Sequence, residues 1–468
     1  MLSRAPAILL SALLVFSAAA SAAIPASDQV ATVSAADRAF VEDLEHRSFA
    51  YFWEQADPGT GLVLDRARVD GGRAKGPSRD IASTAATGFG LTAICIGAQR
   101  GWITKKQAAD RVRATLQFFA GKASQEHGWF YHWMDVTTGD RKWDSETSSV
   151  DTAFLLAGVL TAGQYFSDDP EIPKLASEIY GRVDFQWMLD GDPLLLSHGW
   201  RSGKGFIKNR WDTYSEDGLL YLLAIGSPTH PISAESWYAW QRPFYQYGTY
   251  QFVSGGPLFT HQYSQAWIDF RNRRDRGFLD FFLNSVNATR ANEQYCLSLD
   301  LPSTFGASTP GNAIWGITAS DGPKGYRIYG EIKAFDPVDG TVAPAAAGGS
   351  LMFTPDISIP ALKAIQERFG DRVFGRYGFV DGYNPTLDWF DTDVVGIDAG
   401  ITLLSAENLL TGNVWHWFMA NEPASHAMEL IGFSEPPGKE TPAKEIKKPA
   451  PRKRARRSVK PTPPQAQV

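Results

Sequence analysis

A chain of 468 residues that is 44% hydrophobic carries ample apolar material for a core, which excludes disorder of the whole. Its net charge of −6 is unevenly placed, with 34 basic and 48 acidic residues between positions 24 and 434 but 10 basic and 3 acidic residues from Glu435 onward. Two cysteines, Cys95 and Cys296, exclude a disulfide scaffold. A single bridge between them competes with the plainer reading of two buried thiols, since both sit in apolar stretches, "TAICIGA" and "QYCLSL".

The first 23 residues carry Arg4, an apolar run from Ala5 to Phe16 and small residues ending Ala20-Ser21-Ala22-Ala23. This is the pattern of a secretory signal peptide and predicts a periplasmic or secreted protein. No later run approaches the roughly 18 apolar residues of a membrane span. Amphipathic helices are then predicted around Phe40, Leu44 and Tyr51; around Val112, Leu116 and Phe119; around Leu175, Ile179, Val183 and Trp187; and around Leu362, Ile365 and Phe369. Between them stand segments apolar nearly all round: "STAATGFGLTAICIGAQ", "VDTAFLLAGVLTAGQYF", "EDGLLYLLAIG" and "IDAGITLLSAENLL". Alternation of the two kinds implies an outer layer of helices around an inner ring, an all-α fold. Gly- and aromatic-rich joints such as "KASQEHGWFYHWMD" and "QRPFYQYGTYQFVSGG" are the places for short strands. No linker divides residues 35–433, so they read as one domain. The tail, residues 436–468, is rich in Pro, Lys and Arg without apolar period and reads as a solvated basic segment. Its "RKRARR" would suit nucleic acid, but an export signal argues against that partner; anionic envelope polymers are the alternative.

The chain has no HExxH, no zinc-spaced Cys-His cluster, no complete phosphate loop and no GxSxG elbow, so no metal or cofactor is expected. Aromatic residues and carboxylates are abundant instead. Aromatics make up 13% of the chain, with 15 Trp, many beside polar groups as in "WFYHWMD" (Trp129) and "NRWDTYSE" (Trp211). Such rings suit stacking on sugar C–H faces, although most must serve the core. Three acids share one context, each at the start of an apolar helix: Asp151 in "SSVDTAFLLAG", Glu216 in "TYSEDGLLYLL" and Asp398 in "VGIDAGITLL". Singly, each reads as a helix cap. Together, in a ring whose inner helices point one way, they converge at one mouth, as glycoside hydrolysis requires of its two carboxyl groups. Asp65, Arg66 and Glu146 are placed with Asp151 as groups that orient hydroxyls there, "LDRARVDGG" reading as a Gly-rich loop before the next inner helix.

Eight ordered blocks, among them "SSVDTAFLLAG", "YSEDGLLYLLAIGSPTHP", "GGPLFTHQYSQAWIDFR", "WGITASDGPKGY", "YGFVDGYNP" and "GIDAGITLLSAENLLTGNVW", resemble the glucoamylase-like family of bacterial exported proteins, which includes endo-β-1,2-glucanases. The resemblance runs from about Phe40 to Phe433. It implies an (α/α)6 barrel and an inverting hydrolase of β-glucan, most naturally β-1,2-linked, working as a monomer on an oligo- or polysaccharide. It also implies Glu216 as general acid and Asp398 as general base, with His261 and Tyr263 from the "FTHQYSQ" block lining the substrate site beside Trp129 and Trp211. Here the chain departs from the family pattern in inserting Asp217 before Gly218. An α-glucan glucoamylase, a glucan transglycosylase and a non-catalytic glucan-binding protein are the alternatives.

Overall fold

The computed structural model describes residues 33–307, 313–330 and 337–435; the leader-like residues 1–23 and the basic tail 436–468 lie outside them. Helices alternate between two layers in chain order. The first four are α1 (Ala35–Glu54), α2 (Thr84–Gln99), α3 (Lys105–Gly121) and α4 (Ser149–Tyr165). Next come α5 (Ile172–Gly181), the short α6 (Phe185–Met188), α7 (Gly218–Ile225), the short α8 (Ser236–Ala239) and α9 (Phe281–Ser298). The chain then forms α10 (Pro344–Gly348), α11 (Pro355–Phe369), α12 (Gly396–Leu410), α13 (Asn413–Met419) and α14 (Glu422–Ile431). Among the described residues no helix is long and apolar enough to cross a membrane.

All four segments expected to be apolar all round form the inner ring. Thr84 to Gly97 of α2 and every residue of α7 are buried, as are Thr152 to Gly163 of α4 and Ala399 to Asn408 of α12. Helix α2 packs on α4 and α12, and α4 packs on α7. The α2–α4 approach is close enough that a Cβ on Gly158 would lie 2.0 Å from the carbonyl oxygen of Gly88, which is why both positions are glycine. Two further inner elements carry too few residues to show a period: the five-residue α10, and the 3-10 turns Leu258–His261 and Ser264–Ala266. Gln262 joins these by hydrogen bonds to the Ala346 carbonyl and Ser350 Oγ. Outer helices are amphipathic and bury the expected stripes, with Leu44 and Tyr51 in α1, Val112, Leu116 and Phe119 in α3, and Leu362 and Ile365 in α11. The predicted stripe of α5 ran too far: that helix ends at Gly181, and Trp187 belongs to α6.

Short strands set where the inner helices begin. Ile81–Ser83 leads into α2, Thr147–Ser148 into α4 and Asp393–Val395 into α12, and each is paired antiparallel to a loop strand: Trp133–Asp135, Gly199–Arg201 and Arg66–Arg68 respectively. This pairing anchors three helix N-termini on one face of the ring. It also corrects the reading of "LDRARVDGG", whose Arg66–Arg68 is a strand held against the entry to α12 rather than an open loop before α2. Cys95 and Cys296 are both buried and no disulfide joins them, so the reading as buried thiols holds and the bridge does not.

Away from that face, Arg100 at the end of α2 lies between two fully buried carboxyls, 3.1 Å from Glu45 of α1 and 2.7 Å from Glu407 of α12. One cation serves two acids. The Glu45 carboxyl is pushed up to about 10, first by burial and then by its hydrogen bond to Glu407, against the pull of Arg100. The folded protein thus holds this proton more tightly than the unfolded chain. The associated stability is complete below the ordinary value of 4.5 and drains away as pH rises toward 10. Glu45→Gln keeps the shape and removes the ionisation. Its melting temperature should exceed that of the parent at about pH 9 and converge with it in acid; parallel melting curves across that range would refute the linkage.

Candidate active site

Glu216 lies two residues before α7, whose N-cap position is Asp217. Neither carboxylate caps the helix: no side-chain bond closes the α7 N-terminus from Asp217. The α7 N-terminus is closed from elsewhere, because Ser264 Oγ accepts the Leu219 amide at 2.8 Å and donates to the Glu216 carbonyl at 2.6 Å. Glu216's own carboxylate accepts a short hydrogen bond from Ser215 Oγ. Burial raises its pKa above the carboxylate range and the charge of Asp151 adds to the effect, while Ser215 opposes it. Asp217 is buried, one of its oxygens has no hydrogen-bond partner, and burial followed by the charge of Glu216 pushes it well up.

Asp398 sits in the first turn of α12, and there too no side chain caps the helix. Its Oδ1 accepts the Tyr263 hydroxyl at 3.3 Å. Tyr263 and Ser264 are neighbours in sequence, so one turn between α8 and α9 ties both acids to a common frame. The other contact of Asp398 is a second carboxyl, Asp381, with which it shares a hydrogen bond. Asp381 is buried, and its Oδ2 accepts the Asp321 amide at 2.6 Å. Two carboxyls in such contact hold one proton between them. Burial raises both; the shared bond pushes Asp381 further up and draws Asp398 back down. Of the two, Asp381 therefore holds a proton more tightly and Asp398 ionises first. Burial also raises the phenol of Tyr263, and both Tyr263 and the exposed Tyr326 feel the charges of Asp398 and Glu216, which places the two acids around one cleft.

Arg66 stands beside them, its Nε 3.2 Å from Asp65 and its Nη1 2.6 Å from Asp321. Arg66 thus bridges two acids instead of pairing in bidentate fashion with one. The Asp65 carbonyl accepts the Gly396 amide at 2.7 Å, which seats the start of α12. Burial raises the Asp65 carboxyl, and Arg66 resists the rise. One oxygen each from Asp321, Asp381 and Asp391 lies within 4.8 Å of the others, a spacing that a cation could bridge. Arg66 already pairs with Asp321, and burial with the neighbouring Asp398 disfavours a charge on Asp381, so two of the three are accounted for within the protein.

On the other side of the cleft, His132 Nδ1 is 3.2 Å from Glu146 and its Nε2 is 3.7 Å from Asp151. Burial is the largest influence on this imidazole and pulls its pKa down, but Asp151 and Glu146 together win and raise it. Glu146 is correspondingly held down to about 2, chiefly by the His132 bond, with help from Arg201 at 3.3 Å. The cap of α4 is Ser148 and not Asp151: Ser148 Oγ accepts the Asp151 amide and donates to the Asp151 carboxylate.

Three expected site residues belong elsewhere. Trp129 is fully buried, its indole donating to the Asp184 carbonyl at 2.9 Å, and packs edge-on against Phe185 in the core. Trp211 is buried, donates to Ser149 Oγ at 2.8 Å and stacks on His198, bracing the start of α4. His261 is buried between the Tyr214 hydroxyl and Ser254 Oγ, and burial pushes it down to about 3, so it is a neutral core residue. Composition near a polar residue could not distinguish these from lining rings. The residues that sequence reasoning passed over, namely His132, Asp321, Asp381 and Ser264, lie in blocks quoted above but carry no local mark, because each acquires its partner across the fold.

An (α/α)6 toroid with inner-helix carboxyls gathered at one mouth is the class that this architecture defines. The "Putative glucoamylase" family model matches residues 208–422. An exo β-1,2-glucooligosaccharide sophorohydrolase of Parabacteroides distasonis is 28% identical over 87% of the chain. The chain spans 60% of that relative's length. The solved structure of an endo-β-1,2-glucanase from Chitinophaga pinensis, in complex with sophorotriose and glucose, superposes with a TM-score of 0.78 at 27% identity, covering 86% of this chain and 99% of that one. A Talaromyces funiculosus endo-β-1,2-glucanase shares the fold at 12% identity and a TM-score of 0.59, covering 84% and 90% of the respective chains. Over residues 208–422 the chain is thus similar to the glucoamylase-like family, and its fold is that of the solved β-1,2-glucanases.

Proposed function

We propose that the protein is an exported glycoside hydrolase that cleaves β-1,2-linked glucan with inversion, Glu216 acting as acid and Asp398 as base. The observation that carries this is the difference in surroundings between two half-buried carboxyls on one cleft. Burial raises Glu216 and the Asp151 charge adds to it, whereas the bonds from Asp381 and Tyr263 draw Asp398 back down against burial. Environments that push the pKa values of paired carboxyls apart mark acid and base. In the reaction the Glu216 proton passes to the glycosidic oxygen as the C–O bond breaks. Asp398 takes a proton from the attacking water, directly or through a substrate hydroxyl, and the oxygen of that water bonds the anomeric carbon from the opposite face. Asp65, Arg66, Glu146 and His132 are the polar groups that meet the sugar hydroxyls. Relatives named for β-1,2-glucans support the linkage, and the leader-like residues 1–23 support export.

Incubating the purified protein with a panel of linear glucans, and reading product mass and anomeric form, tests the reading. β-1,2-Glucan should yield shorter products whose new ends are α-anomers. Cleavage of starch oligomers alone would instead indicate a glucoamylase, products longer than the substrate a transglycosylase, and tight binding without new ends a sugar-binding protein.

A further inference from the structure

Trp143 combines three features that packing does not explain. It is 54% exposed, the largest kind of side chain left in solvent. Its backbone is left-handed, φ 51°, which costs a non-glycine residue about 1 kcal/mol or more. Its neighbours are nonetheless pinned on both sides: Lys142 holds Asp135 at 2.8 Å, and Asp144 is held by Arg141 at 2.7 Å and by Lys204. The loop is therefore built to present this ring and gains no core contact by doing so.

The ring is also continuous with the cleft. Trp143 meets Trp133 edge to face, with centroids 5.9 Å apart, and Trp133 stacks on His132 with centroids 3.8 Å apart. His132 is the imidazole set between Glu146 and Asp151 at the mouth. A line of rings thus runs outward from the acids to an exposed indole. Trp133 is itself only half-buried, so a ligand leaving the cleft on this side passes over an aromatic floor. The acidic residues near the path, Asp135 and Asp144, are paired with cations, leaving little net charge to attract an ion. A neutral, flat-faced, polyhydroxylated ligand suits such a floor, its C–H faces on the rings and its hydroxyls in solvent.

We propose that Trp143 forms a distal sugar-binding subsite, a preset platform on which a glucan chain rests beyond the units held by His132, Glu146 and Asp151. This rests on the glucan reading of the cleft. The platform adds affinity only for chains long enough to reach it, and because the loop is already ordered, little entropy is lost on contact.

The test compares Trp143→Ala and Trp143→Tyr with the parent full-length protein on a ladder of linear β-1,2-glucooligosaccharides and on the polymer. For Trp143→Ala the ratio of kcat/KM on the polymer to kcat/KM on the shortest cleaved oligosaccharide should fall about tenfold, chiefly through KM, the size of one lost stacking contact. Trp143→Tyr should restore most of the ratio. A ratio unchanged in Trp143→Ala, or one that Trp143→Tyr leaves as low as Ala does, overturns the subsite. If the parent cleaves no β-1,2-glucan of any length, the functional reading fails first and the subsite with it. Since the residue is exposed and its backbone strained, Trp143→Ala should fold with an unchanged melting temperature.

Discussion

Glu216→Gln is expected to lower kcat on β-1,2-glucan by about 10² to 10⁴, the contribution of a positioned general acid. The amide keeps the volume of the side chain and can still accept from Ser215, but it has no proton of the required acidity to give. Its fold should survive, because the native carboxyl is itself disfavoured when ionised: burial and Asp151 raise its pKa, so removing the charge costs the folded state nothing. The same shift sets the pH dependence in the parent. A raised acid is active below its pKa and lost above it, so the alkaline limb of kcat/KM should lie above the ordinary carboxyl range and disappear in the variant. A capping role predicts the reverse, about 1 kcal/mol of lost stability with activity per folded molecule preserved. The geometry opposes it, since Ser264 occupies the place a cap would take.

The second large effect concerns the Asp381–Asp398 pair. Asp398→Asn should reduce turnover by about 10² to 10⁴ as well, through loss of the base. Asp381 acts through Asp398, and two substitutions separate its role from mere packing. Asp381→Asn can accept from the Asp321 amide and donate its own N–H to Asp398, reproducing both native contacts. It should retain activity with the acid limb of kcat/KM near its native position. Asp381→Ala deprives Asp398 of the larger of the two bonds that lower its pKa. The base is then protonated at higher pH, so the acid limb moves upward and activity at neutral pH falls. Equal damage from both substitutions, with no movement of the limb, would show that Asp381 only fills space. Stability follows a definite sign. Both carboxyls are raised in the folded state, so their linked stability is greatest in acid and declines as pH rises through their folded values.

Sequence alone determined the layer architecture and pointed to the two acids proposed to do the chemistry. Four inner helices were legible because a segment buried on every side must be apolar on every side, as α7 shows most plainly, and the outer ones because one face must be polar. Glu216 and Asp398 drew notice because, with Asp151, a carboxylate recurs at the head of three apolar helices, and the family resemblance supplied the roles expected of them. Tertiary structure decided the rest. The fifth and sixth inner elements are shorter than two helical turns, too short for any period to register. Asp381 and Asp321 lie in Asp-Gly stretches that look like ordinary turns, and they meet across sixty residues of chain; only the fold presses Asp381 onto Asp398 and so decides which carboxyl keeps the proton. Trp129, Trp211 and Trp143 all stand near polar neighbours in sequence. The first two are buried and the third is held out in solvent, because burial depends on what packs over a ring from elsewhere in the chain, and local composition carries no record of that.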